Sequence, residues 1–167
     1  MAKRKSGVEG RSPARKPAAK LDALGILELE HRRFKTLLAQ GEATTVRAGK
    51  RRRELLDSLI SELAAHEWME EHVLYPALLS YSHTRETLTE GLHEHDGAEA
   101  LINELQGIPT ADVKWGLKFR ALKETLHRHM DHEEEHLFPI ARGVFSREEL
   151  RGLAEQMRAS KPPRRTL

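Results

Sequence analysis

Apolar side chains recur along this chain at intervals of three and four, the signature of helices with one buried face. Leu24, Leu27, His31, Phe34 and Leu38 form the first such stripe, which begins at Leu21 and stops near Gly41. Leu56, Leu59, Leu63, His66, Glu70 and Val73 form a second on a longer helix expected from about Arg47 to about Ser80. A third helix is predicted from about Arg85 to about Gln106, with Leu88, Leu92, His95, Ala98, Ile102 and Leu105 facing inward. Gly107-Ile108-Pro109 ends it, and Trp115, Phe119, Leu122, Leu126, His129, Glu133 and His136 mark the fourth. Ser146-Arg147-Glu148-Glu149 has the form of a capping box opening a short fifth helix to about Arg158. No segment alternates with the period of a strand. The fold class expected is all-α: an up-down-up-down four-helix bundle of two repeated helical hairpins, with a short C-terminal helix.

The hairpins repeat in sequence as well as in pattern. His66-Glu67-Trp68-Met69-Glu70-Glu71-His72-Val73-Leu74-Tyr75-Pro76 and His129-Met130-Asp131-His132-Glu133-Glu134-Glu135-His136-Leu137-Phe138-Pro139 share the form His-xxx-Glu-Glu-xx-Leu-aromatic-Pro. Glu30-His31 and Glu94-His95 are a second repeated pair. Pro76 and Pro139, lacking an N–H, are expected to bend or end their helices beyond the motif. Tyr75 and Phe138 are expected to plug the core.

Composition narrows the chemistry. The 167 residues include ten His and no Cys. Disulfides, thiolate nucleophiles and Cys-ligated metal sites are thereby excluded, and any metal must be held by nitrogen and oxygen. Residues 1–20 carry seven Lys/Arg against Glu9, and residues 158–167 carry four with no acid. Residues 1–20 are expected to be a disordered basic tail, 21–158 the bundle, and 159–167 a second basic tail. The body is acidic, which suits cations and argues against a nucleic-acid grip except through the tails. Lys50-Arg51-Arg52-Arg53 is expected to be a solvated face. No apolar run suffices for a membrane span and the first residues lack a signal peptide's apolar stretch, so a cytoplasmic protein is expected.

An unpaired carboxylate in a core costs several kcal/mol or loses its charge. Glu70 and Glu133 nevertheless sit on core stripes, each one turn from a core-stripe His. With His31, His66, Glu70, His95, His129 and Glu133 converging in mid-bundle, a dinuclear site is expected, each ion taking two imidazoles and the carboxylates bridging. A mixed His/Glu set favours iron, with manganese or zinc behind it. His136 is a candidate extra ligand or supporting donor, His132 less so; Glu67 and Glu99 flank the stripes. His72, His83, His93 and His127 are expected at the surface.

These motifs resemble the hemerythrin-like HHE cation-binding domains over about residues 21–142. The resemblance implies a four-helix bundle with two non-haem iron ions, oxo- or hydroxo-bridged, and the six residues just named as the matching positions. Oxygen-carrying hemerythrins have His-xxx-His on the third helix and His-xxxx-Asp on the fourth, where this chain has His95-xxx-Glu99 and His129-xxx-Glu133. It is more similar to HHE domains associated with binding or sensing iron, dioxygen or nitric oxide. Two alternatives stay open: a ferritin-like di-iron oxidase using pairs such as Glu28-xx-His31 and Glu90-xx-His93, or a metal-dependent interaction module without catalysis.

Overall fold

The structure is a computed structural model that describes residues 21–159. The basic tails expected at 1–20 and beyond Ala159 lie outside the described residues. Helix α1 (Ala23–Glu42) starts where the Asp22 carboxylate accepts the N–H of Gly25 at 2.8 Å, satisfying one of the free donors of a first turn. Helix α2 (Gly49–Met69) runs directly into a π-helical turn (Glu70–Leu74) and then into α3 (Tyr75–Leu78). A 3₁₀ turn (Ser82–Thr84) leads to α4 (Arg85–Gly107). Helix α5 (Val113–His132), capped by Asp112, repeats the design: a π turn (Glu133–Leu137) and then α6 (Phe138–Val144). The capping box opens α7 (Arg147–Ala159) as expected, Ser146 and Glu149 each accepting the other's backbone N–H at 3.2 and 2.7 Å. The described residues contain no strand.

The π turns explain what the prolines do. In an unbroken α-helix the ring of Pro76 would press on the carbonyl of His72, four residues earlier. Here the N–H of Tyr75 bonds instead to the carbonyl of Glu70, five residues back, and the N–H of Phe138 to that of Glu133. One extra residue enters the turn, the clash is relieved and the helix continues, so the prolines neither end the helices nor force a break. The buried stripe shifts by one position, from Glu70 to Leu74, Tyr75 and Leu78.

Helix α1 packs against α2, α5 and α7, while α4 packs against α5, giving the four-helix bundle with α7 laid across α1. Its interior has two dry halves. One holds Leu24, Leu27, Leu74, Leu78, Phe138 and the inner face of α7; the other holds Phe34, Leu56, Leu59, Ile102, Trp115 and Phe119. On each long helix a histidine stands between residues of the two halves, so the imidazoles form one polar layer across the bundle.

Away from the polar layer, expectations about faces fail at Leu92 and Arg52. Leu92 is 42% exposed, because Gly91 takes the inward position: a Cβ there would lie 2.7 Å from the Tyr75 hydroxyl, and only glycine lets α4 approach that closely. Arg52 is not solvated but 4% exposed. Its guanidinium donates to the Thr110 carbonyl at 2.7 Å and to Thr44 Oγ1 at 2.9 Å, and lies 4.7 Å from the Trp115 ring centre. It ties both interhelical loops at one end of the bundle, and its place three residues before Leu55 puts it on the buried stripe.

Candidate metal centre

All six stripe residues meet in the polar layer, and all are buried, none more than 6% exposed. His31, His66, Glu70 and Glu133 offer ligand atoms within 4.8 Å of one another, and so do Glu70, His95 and His129. Glu70 belongs to both groups: its Oε1 lies 2.9 Å from His66 Nε2 and its Oε2 lies 3.2 Å from His95 Nε2. Glu133 Oε2 faces His31 Nε2 at 3.2 Å and His129 Nε2 at 3.6 Å. Each carboxylate therefore spans two imidazoles on different helices.

The outer ring nitrogens are already committed. His66 Nδ1 lies 2.9 Å from Glu30 Oε2, and His129 Nδ1 lies 3.2 Å from Glu94 Oε2. His31 Nδ1 is 2.9 Å from Glu134 Oε1, and His95 Nδ1 is 2.9 Å from Glu71 Oε1. A carboxylate can only accept, so each Nδ1 carries the hydrogen, and in the neutral ring the Nε2 lone pair is left pointing inward. His31 Nε2 and His66 Nε2 approach to 3.2 Å. Lone pairs and carboxylate oxygens cannot be packed together in a dry interior without positive charge between them. The inward atoms Glu70 Oε1 and Oε2, Glu133 Oε2, His95 Nε2 and His129 Nε2 are buried with no hydrogen-bond partner. Such a donor set, nitrogen and oxygen aimed at common points and held from behind by outer carboxylates, fits metal cations.

The electrostatics agree. Burial disfavours an imidazolium at His66, yet Glu70 and Glu30 reverse this and hold it well above the usual histidine range. Burial likewise opposes charge on His95, but Glu70 raises it to about 9; His129 is raised against burial by Glu133 and Glu94. Glu70, whose burial would favour the neutral acid, is held well below the usual carboxylate range by His66 and His95. The carboxylates that favour positive charge on these rings would equally favour a cation between them.

Tyr75 is more than a core plug. Its O–H donates to Glu133 Oε1 at 3.0 Å, and burial beside Glu70 and Glu133 pushes its ionisation far up, so the phenol stays a donor. Phe138, at the matching place in the second hairpin, stacks on His31 with ring centres 5.7 Å apart. Sequence reasoning also left Glu30, Glu71, Glu94 and Glu134 without roles. Their signal was present in the doubled Glu-His and Glu-Glu pairs, which repeat at the same offsets as the histidines. Of the remaining candidates, His132 contacts Glu94 at 3.3 Å and Glu90 at 3.3 Å, whereas His136 is exposed, its ring centre 5.5 Å from that of His132; Leu137 and Phe138 take the inward positions there. Glu67 is half-buried, and burial raises its carboxyl above the usual range. Glu67 and Glu99 both line a cavity beside His95. His72, His83 and His93 are exposed and His127 is half-buried.

The family model of the hemerythrin HHE cation-binding domain matches residues 22–141. The chain belongs to this family. An uncharacterised hemerythrin-like protein of Schizosaccharomyces pombe is 27% identical over 107 residues, 63% of this chain and 53% of the relative, so the chain spans about half the length of that curated protein. The crystal structure of a hemerythrin HHE cation-binding domain-containing protein from Mycobacterium kansasii superimposes with a TM-score of 0.74 at 26% identity, covering 84% of this chain and 85% of that one. Membership makes this hemerythrin HHE domain a metal-binding protein, and the His/Glu layer is where its residues can hold metal. No helix among the described residues is long and apolar enough to cross a membrane.

Proposed function

We propose that the chain is a non-haem di-iron protein that binds or senses iron, dioxygen or nitric oxide. His31 and His66 would hold one ion and His95 and His129 the other, with Glu70 and Glu133 spanning both. The observation that carries this reading is the set of buried inward atoms without hydrogen-bond partners, oxygens of Glu70 and Glu133 and the Nε2 of His95 and His129, in a layer whose four imidazoles have their outer nitrogens bound to carboxylates. Four imidazoles and two carboxylates with no thiolate favour iron over zinc, and manganese stands second. When bound, iron supplies a redox-active Lewis acid able to take up a small diatomic ligand. The protein's part is to fix four imidazole orientations through Glu30, Glu71, Glu94 and Glu134, to direct the Tyr75 O–H at Glu133, and to keep water out with an apolar half-core on either side.

The ferritin-like alternative gains no support from the geometry. Glu28 turns outward to the Arg142 guanidinium at 2.9 Å, and the Glu90 side chain is 63% exposed. The test is an optical spectrum of aerobically purified protein before and after dithionite, azide or nitric oxide. Visible charge-transfer bands that shift with azide or nitric oxide and bleach with dithionite are expected. Colourless protein after iron reconstitution would contradict the reading.

A further inference from the structure

The repeat makes the two halves of the polar layer similar but not equal. One half brings four donors within 4.8 Å of one another, from His31, His66, Glu70 and Glu133; the other brings three, from Glu70, His95 and His129. An octahedral ion with bonds of about 2.1 Å sets neighbouring donors about 3.0 Å apart. Three successive contacts in the first half come close to that spacing: Glu133 Oε2 to His31 Nε2 at 3.2 Å, His31 Nε2 to His66 Nε2 at 3.2 Å, and His66 Nε2 to Glu70 Oε1 at 2.9 Å. In the second half Glu70 Oε2 and His95 Nε2 are 3.2 Å apart, but His129 Nε2 stands back at 3.6 Å from Glu133 Oε2. His129 is also the ring held least closely from behind. Its Nδ1 lies 3.2 Å from Glu94 Oε2, against 2.9 Å between the other three rings and their carboxylates. The same Glu94 oxygen faces His132 Nδ1 at 3.3 Å, at a place where the first hairpin has the buried Met69.

We propose that the layer loads in a fixed order: the His31/His66 position fills first and keeps its ion, and the His95/His129 position takes the second ion more weakly. This rests on the reading that the layer holds metal. Affinity for a cation rises with the number of charged ligands and with the rigidity of the site. The first position has one donor more and its donors already stand at ligand spacing, whereas the second must draw His129 inward. An ion in the first position also repels one placed across the shared carboxylates. Over a range of metal supply the protein therefore carries a single ion between His31 and His66. A response to metal concentration then belongs to the second position, whose occupancy changes while the first stays filled.

The test titrates metal-free full-length protein with cobalt(II) in competition with a chromophoric chelator that reports free metal. Two steps of one ion per chain are expected, about tenfold or more apart in affinity. His95→Ala is expected to abolish the weaker step and leave the tighter one in place; His31→Ala is expected to abolish the tighter step and leave one weakly held ion. Two equal steps in the wild-type protein, or cooperative uptake of both ions together, would overturn the order, and that result does not depend on either variant folding. A tight step kept in His31→Ala and lost in His95→Ala would overturn it as well. Failure of the wild-type protein to take up cobalt at all is a different result, and would refute the metal-holding layer itself.

Discussion

At the scale of single residues, the inner and outer atoms of each imidazole have separate jobs, and substitutions should separate them. His66→Ala or His129→Ala removes an inward nitrogen and is expected to lower metal stoichiometry, whereas His83→Ala, at an exposed position, leaves it intact. Glu30→Gln and Glu94→Gln preserve every inward atom but loosen His66 and His129 from behind. They are expected to retain stoichiometry and lose roughly 10- to 100-fold in affinity, measured by competition with a chelator; unchanged affinity would mean the outer carboxylates only decorate the surface. Tyr75→Phe leaves Glu133 Oε1 without its donor and should cost the metal-free protein about 1–3 kcal/mol in urea unfolding. The six inward residues were legible in the sequence because four-residue spacing on one helix is local information. Their outer partners were not, because Glu30 and His66 meet only once two helices pair, and a 36-residue separation carries no periodicity. Arg52 was obscured differently, by three basic neighbours that do face water.

At the scale of elements, helix identity and order followed from apolar spacing, while the π turns did not. A proline in a helical pattern signals a break, and the motif itself contains no mark distinguishing a break from a turn widened by one residue. The tertiary setting decides: Leu74 at the end of the turn and Leu78 beyond it are fully buried, and their burial rewards a helix that continues. Close helix approach gives a sharper test. A Cβ on Gly41 would lie 2.2 Å from Phe119 Cζ, whereas one on Gly97 meets nothing within 4 Å. Gly41→Ala is expected to destabilise by about 1–3 kcal/mol through overpacking of α1 on α5, and Gly97→Ala to stabilise by up to about 1 kcal/mol through helix propensity. Equal effects in chemical denaturation would contradict this packing.

At the scale of the whole molecule, the polar layer makes folding, protons and metal compete for the same atoms. The raised His66, His95 and His129 contribute stability to the metal-free bundle that is fully present below the ordinary histidine value of 6.5 and is lost as pH rises through their raised values, about 9 for His95. The depressed Glu70 contributes stability that is present above 4.5 and is lost as pH falls through its lowered value. Metal-free protein is therefore expected to be most resistant to urea between pH 4.5 and 6.5 and weaker at pH 9. Metal affinity should run the other way, rising with pH as protons cease to compete. Greater resistance of the metal-free form at pH 9 would contradict this linkage. Metal that binds only the folded layer must also raise the melting temperature, and coincident melting of stripped and loaded protein would leave the layer without an energetic role. The most direct measurement is elemental analysis of aerobically purified wild-type protein. About two irons per chain, falling in His66→Ala and His129→Ala, is the predicted result; no bound metal after iron reconstitution, or an iron content indifferent to both substitutions, would contradict the central claim.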